Sequence, residues 1–335
     1  MIDWIRDALP PSRQTQLRDT LIEWCEINSG SCNLEGLSKM HDRLRDEFCS
    51  LADTTESIPL QPCRKYDDNG RAFDLELGNV LRFRKRPTAP FQVLLSGHYD
   101  TVYGPEHPFQ KCEILEDGRI LRGPGVTDMK GGLLVMRESL RLLEEHPEKD
   151  SIGWEVILNP EEEIGTPGAR DILRQGAARC QIGLVFECST MTGQLVRRRL
   201  GTGFFLAEVT GRSAHAGRDQ SEGRNAIEAL SGLILSLREL RNEMDEVIIN
   251  VARFHSAAPL NAVPDHAVAQ LNIRVASPGI GTEVKDRIAK LVSEVEKEYE
   301  VQIKWRGDFD RPPRIPDASV QKMENLMEDC FSDLD

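Results

Sequence analysis

Short apolar runs alternate with stretches of helical spacing along the first half of the chain, and that alternation restricts the fold more than any other feature. Residues 79–83, 91–96, 152–158 and 181–186 read as strands. Leu133, Leu134, Met136, Leu140 and Leu143 place a helix over about 130–145, and a shorter one is expected over 167–176. Two helices precede them, at about 14–28 (Leu17, Leu21, Trp24, Cys25) and 35–51 (Leu37, Met40, Leu44, Phe48). Strands separated by helices imply an α/β fold with a mostly parallel sheet.

The pattern changes near Gly201. Strands are expected over 203–209, 247–254, 268–275 and 301–305, with helices over 225–240 and 283–299. That order, βαββαβ, is the order of a ferredoxin-like insert. Residues 201–309 therefore read as one domain, inserted into a second that comprises 1–200 and 310–335 and resumes with a helix over about 317–331. Arg197, Arg198 and Arg199 fall at the junction and read as a solvated hinge strand.

Composition narrows the class. With 335 residues, 39% apolar and 29% charged, the chain has the balance of a soluble globular protein of about two domains. No apolar run approaches the ~18 residues of a membrane span. The opening MIDWIRDALPPSRQ lacks a basic region followed by an apolar core, so it does not read as a signal peptide. Eight cysteines without a C-x-x-C pair suit a reduced, cytoplasmic location, most of them as small buried apolar residues. A net charge of −13 disfavours nucleic acid and anionic membrane as partners.

Several of the strands break off at polar residues of one kind. SGHYDTV, residues 96–102, follows an apolar strand. Side chains of extended chain alternate faces, so His98 and Asp100 point the same way. Asp100 can then hold one ring nitrogen of His98 and leave the other for a metal, or the two form a satisfied pair inside a turn. GPGVTDMKGG, residues 123–132, sets Asp128 between a glycine-rich turn and a helix start, where it is a ligand or an N-cap. NPEEEIG, residues 159–165, places three glutamates at the mouth of a sheet, a repulsion that a cation removes. In LVFECS, residues 184–189, Glu187 ends an apolar strand, where a carboxylate is costly unless it is paired or bound to metal. His98, Asp128, Glu162 or Glu163, and Glu187 thus gather near strand ends. One imidazole among carboxylates suits zinc, with cobalt or manganese as substitutes.

These motifs, in this order, resemble the co-catalytic dizinc hydrolases that include glutamate carboxypeptidase, acetylornithine deacetylase, succinyl-diaminopimelate desuccinylase and aminoacylase. GHYDTVY, GPGVTDMKGG and EEIGTPGAR are most similar to the glutamate carboxypeptidase branch. The resemblance implies that 1–200 with 310–335 is the zinc-dependent catalytic domain and 201–309 a lid and dimerisation domain. It implies that His98 and Glu187 bind one zinc, that Asp100 orients His98, and that Asp128 bridges two metals through a residue whose bond to Met129 is cis. It makes Glu162 the general base, Glu163 a ligand of the second zinc and Glu161 a bystander. His215 in GRSAHAG would stabilise the oxyanion in the partner's site of a homodimer. Asn261 and Arg274 match substrate-binding positions, and Arg274 could pair with a substrate carboxylate through its fork.

The implied reaction is hydrolysis of a small peptide or N-acyl amino acid, next to an α-carboxylate, by water activated between two metals about 3.5–4 Å apart. An N-acyl-amino-acid deacylase is the neighbouring alternative. The family pattern also has a late second metal-binding histidine, whereas the last histidine here is His266. On that ground the second zinc would keep only Asp128 and Glu163, and a metal-poor, non-catalytic remnant stands as the competing expectation.

Overall fold

The computed structural model describes residues 7–189, 194 and 196–332. Contacts divide the chain into two units. The first reaches to Arg64 and resumes from Asp74 to Gln194; the second holds Lys65–Phe73 and the chain beyond Gln194 up to the last helix.

The first unit is built on a five-stranded sheet. Its strands are β1 (Thr54–Pro59), β4 (Asn79–Lys85), β5 (Phe91–His98), β8 (Ile152–Asn159) and β9 (Ile182–Val185), in the order β1-β4-β8-β5-β9. Only β8-β5 and β5-β9 pair in parallel, while β1-β4 and β4-β8 are antiparallel. The sheet is therefore mixed, and the expectation of a mostly parallel one is corrected. The physical reason lies in the connections: no helix separates β1 from β4 or β4 from β5, so no crossover aligns them. Two small hairpins stand outside this sheet: β6 (Glu113–Leu115) with β7 (Ile120–Arg122) in the first unit, and β2 (Cys63–Tyr66) with β3 (Ala72–Leu75), whose Lys65–Phe73 belongs to the second.

Helices α1 (Pro11–Glu26), α2 (Leu34–Phe48) and α3 (Gly131–Glu145) share one core with the sheet. Leu37, Met40, Leu44 and Phe48 recur at three and four residues, so one stripe of α2 is buried. Asn33 starts that helix by accepting a hydrogen bond from the Gly36 N–H at 3.2 Å. The stripe packs with Trp24, Leu133, Met136, Leu140, Phe83, Leu95, Trp154 and Val156. Helix α4 (Arg170–Arg179) belongs to a smaller cluster with Val80, Leu94 and Ile157, whose side chains alternate with those of the main core along their strands.

The second unit has a four-stranded antiparallel sheet of β10 (Gly201–Thr210), β11 (Val247–His255), β12 (His266–Val275) and β13 (Gln302–Arg311), ordered β11-β12-β10-β13. Helices α5 (Ala226–Glu243) and α6 (Pro278–Tyr299) lie between the strands in sequence, which gives the βαββαβ order. Ala226, Ala229, Leu230, Leu233, Leu237 and Leu240 form the buried stripe of α5. Phe205, Ala207 and Val209 on β10 and Ala267, Ala269, Leu271 and Ile273 on β12 alternate toward the same cluster. Arg199 makes a backbone bridge with Arg314, and Arg197 pairs with Glu324 of helix α7 (Ala318–Ser332) at 2.9 Å. Among the described residues no helix is long and apolar enough to cross a membrane.

Candidate metal centre

Sheet register builds the centre. Strand β5 lies between β8 and β9, with His98 opposite Asn159 and Ser96 opposite Val185. The three chains therefore leave the sheet side by side. His98 is the last residue of β5, the glutamates of residues 161–163 follow β8, and Glu187 comes two residues after β9. Carboxyl ends of adjacent parallel strands are where α/β folds form their sites.

Asp128 arrives on the turn between Gly123 and α3. Gly125 has φ +75°, a conformation that an L side chain would resist. The Asp128–Met129 peptide bond is cis. Lys130, only 1% exposed, anchors the turn by donating to the carbonyls of Trp24 (3.0 Å) and Ile27 (2.9 Å). Those carbonyls lie at the C-terminal end of α1, where a cation is well placed. Burial lowers the Lys130 ammonium to a pKa of about 8. Gly132 permits a close approach beyond the turn. A Cβ there would sit 1.9 Å from the carbonyl oxygen of Phe186, the neighbour of Glu187.

His98 stands at the middle of this arrangement. Its Nε2 is 3.0 Å from Asp128 Oδ1 and 3.7 Å from Glu187 Oε1. Its Nδ1 faces Asp100, 3.2 Å from Oδ1 and 3.1 Å from the backbone oxygen. One ligand atom from each of His98, Asp128 and Glu187 lies within 4.8 Å of the others. Burial opposes a charge on the imidazole, yet hydrogen bonds to Asp100 and Asp128 and the charges of Asp100 and Glu187 push its pKa up to about 11. That shift favours a proton on His98 in the metal-free protein, at the place where this donor set suits a cation.

Asp100 does more than face His98. Fully buried, it accepts from the backbone N–H groups of Glu162 (3.0 Å) and Glu163 (3.1 Å) and from the Ser31 hydroxyl (2.7 Å). One carboxylate thus fixes the imidazole and the start of the glutamate loop together. The Glu163 carboxyl is pushed up to about 7, first by burial and then by Asp128, with Asp100 and Glu162 adding to the effect and His98 opposing it.

Glu161 faces away from the metal centre and has a structural role of its own. It is fully buried, and its carboxylate accepts from the N–H groups of Gly168 (2.9 Å) and Ala169 (2.6 Å) at the start of α4. It turns away from its neighbours and satisfies the amino end of a helix. Glu161→Ala is expected to lower stability by about 2–3 kcal/mol, because buried N–H groups lose a charged acceptor. The denaturation midpoint measures this, and an unchanged midpoint would show that water replaces the carboxylate at no cost.

The remaining candidates belong to the second unit. His215 makes a backbone bridge with Ala262, and the Ala216 N–H donates to the Asn261 carbonyl at 3.0 Å, so His215 and Asn261 lie on adjoining segments. The His215 ring accepts from the Gly217 N–H at 3.2 Å. Arg274 is exposed on β12, and its Nε donates to Asn272 at 3.1 Å. Ser31 and Lys130 were not singled out by the sequence. The cysteines also differ from expectation: only Cys25 is buried, while Cys32, Cys49, Cys188 and Cys330 are exposed. Most of them lie on loops or polar helix faces rather than in the core.

A buried imidazole, tied back by one carboxylate and facing two more, gives this α/β protein a group of three side chains that could hold a metal ion. The profile of peptidase family M20/M25/M40 matches residues 94–334, and the chain belongs to that family. It is 26% identical over 258 residues to carboxypeptidase G2 of Pseudomonas sp. (strain RS-16), covering 77% of this chain and 59% of that protein. It is 30% identical over 171 residues to acetylornithine deacetylase of Edwardsiella ictaluri, covering 50% of this chain and 41% of the other. The chain thus spans less than two thirds of the length of both relatives. The crystal structure of a tripeptidase from Staphylococcus aureus superposes with a TM-score of 0.68 at 20% identity, covering 93% of this chain and 82% of that one, which shows the shared fold.

Proposed function

We propose that this chain is a zinc-dependent amidohydrolase of exopeptidase type, which cleaves an N-acyl or peptide bond next to an α-carboxylate. The convergence of His98, Asp128 and Glu187 within 4.8 Å carries the reading. Those three residues would hold one zinc, and Asp128 with Glu163 a second, with cobalt or manganese as substitutes. When bound, the metal supplies Lewis acidity toward a carbonyl and lowers the pKa of water. Glu162 then serves as the base that takes a proton and passes it to the leaving amine. Asp100 keeps Glu162 and Glu163 in register with His98 through their backbone N–H groups. His215 donates to the oxyanion, supplied by the partner of a homodimer. Arg274 and Asn261 receive the carboxylate end of a small peptide or N-acyl amino acid. In this reading residues 1–200 with 310–335 form the catalytic domain and 201–309 the lid and dimer interface, in a cytoplasmic enzyme.

A deacylase reading is favoured by the similarity to an acetylornithine deacetylase and concerns the same bond class. Zinc-loaded protein, offered benzoyl-, acetyl- and succinyl-amino acids and dipeptides, is expected to release free amino acid. The matching substrates with an amidated C-terminus should stay intact. Cleavage confined to acetyl or succinyl groups would select the deacylase. No zinc-dependent release from any member of the panel would sink the hydrolase reading.

A further inference from the structure

Two cysteines far apart in sequence meet beside the turn that carries Asp128. The Cys112 N–H donates to Glu26, the residue after Cys25, and the two thiols lie within reach of each other. Their approach is built rather than incidental. The Glu26 carboxylate holds the Lys111 ammonium at 2.9 Å and the Cys112 N–H at 3.3 Å, which fastens residues 111–112 to the end of α1. On the other side, Lys130 binds the carbonyls of Trp24 and Ile27, which flank Cys25. Gly123 leaves room for the Cys112 sulfur, since a Cβ there would lie 2.4 Å from Sγ. Cys25 is 1% exposed, whereas Cys112 is half-buried and can be reached from solvent.

We propose that Cys25 and Cys112 are a redox pair that closes to a reversible intramolecular disulfide, a modification site separate from the metal centre. The oxidant is a small-molecule disulfide. The Cys112 thiolate attacks one of its sulfurs and displaces the first small thiolate, leaving a mixed disulfide on Cys112. Cys25 loses its proton and attacks Cys112 Sγ, and the second small thiolate leaves. Two electrons and two protons pass from the protein to the oxidant, which departs as two thiols. Burial pushes both thiols up, Cys25 to about 12 and Cys112 above its ordinary value, so both steps are favoured by mildly alkaline pH. The bond would tie the end of α1 to the segment entering β6.

The test uses the full zinc-loaded chain, incubated with oxidised glutathione at mildly alkaline pH, alkylated and digested without reduction. The expected result is a linked pair of peptides containing Cys25 and Cys112, with an intact mass lower by two hydrogens and reversal by dithiothreitol. Thermal unfolding should shift upward by several degrees, because the closed loop is long. The exposed Cys32, Cys49, Cys188 and Cys330 serve as controls that take only mixed adducts. Cys112→Ser should abolish the linked peptides. A stable glutathione adduct on Cys112 with Cys25 still alkylated would overturn the proposal, as would crosslinks that join other cysteines instead. Neither outcome bears on the hydrolase reading, because peptide mapping needs no substrate.

Discussion

Glu162→Gln is expected to lower turnover by roughly 10²–10⁴-fold while zinc content stays unchanged, because a positioned general base contributes about that much. The substitution keeps the shape of the side chain and leaves the backbone N–H that donates to Asp100 in place. The loop should therefore hold its course, and only the capacity to take a proton is lost. Glu163→Gln supplies the contrast. That carboxyl is half-buried, sits in the field of Asp128, and is assigned as a ligand, so its replacement should lower zinc content along with rate. Steady-state kinetics beside elemental analysis separate the two roles. Full activity in Glu162→Gln would remove the base assignment, and a rate loss without zinc loss in Glu163→Gln would exchange the roles. The pair also bears on the non-catalytic alternative, for which neither change would alter a rate.

How far such roles can be read from sequence depends on where a residue's partners come from. His98, Glu187 and the glutamate loop were legible because each follows or ends an apolar strand and parallel register brings those ends together, and Asp128 because it stands in a glycine-rich turn before a helix. Helices α2 and α5 were legible because their apolar residues recur at three and four positions. Strand β1 was not. TTESIP has no apolar alternation, and its place in the sheet comes from backbone pairing with β4. With β1 unmarked and the short link between residues 85 and 91 giving no sign that β4 runs against β5, a mixed sheet read as a mostly parallel one. Ser31 and Lys130 escaped for a related reason. Their partners Asp100 and Trp24 lie 69 and 106 residues away, so no local spacing announces them. Glu161 was concealed by its neighbours. Three identical side chains in a row suggest one environment, yet one of them turns into the protein to meet the start of α4.

The charge balance at His98 gives the second large effect. Metal-free protein is expected to lose thermal stability as pH rises from about 6 to 9, with a fall in Tm on the order of 5 °C. The folded-state pKa of His98, about 11, lies above its ordinary value of 6.5. Its stabilisation is therefore complete below about 6.5 and is lost as pH climbs toward 11. Glu163 acts in the same direction. With a folded pKa near 7 against an ordinary 4.5, its ionisation becomes a penalty that grows from pH 4.5 and is complete above 7. Over this window the folded state binds more protons than the unfolded one, so the slope is negative. Zinc should reverse it, since a cation between His98, Asp128 and Glu187 takes the place of the proton and binds more tightly as that proton leaves. Saturation at about 100 times Kd adds roughly 2.7 kcal/mol of stability. Calorimetric titration near pH 7.5 in buffers of different ionisation enthalpy should register proton release on zinc binding. His98→Ala should abolish most of that release and flatten the pH dependence of the metal-free protein. A metal-free Tm that stays level from pH 6 to 9, or zinc binding without proton release, would mean that His98 is already neutral and that Asp100 holds it as an uncharged ligand.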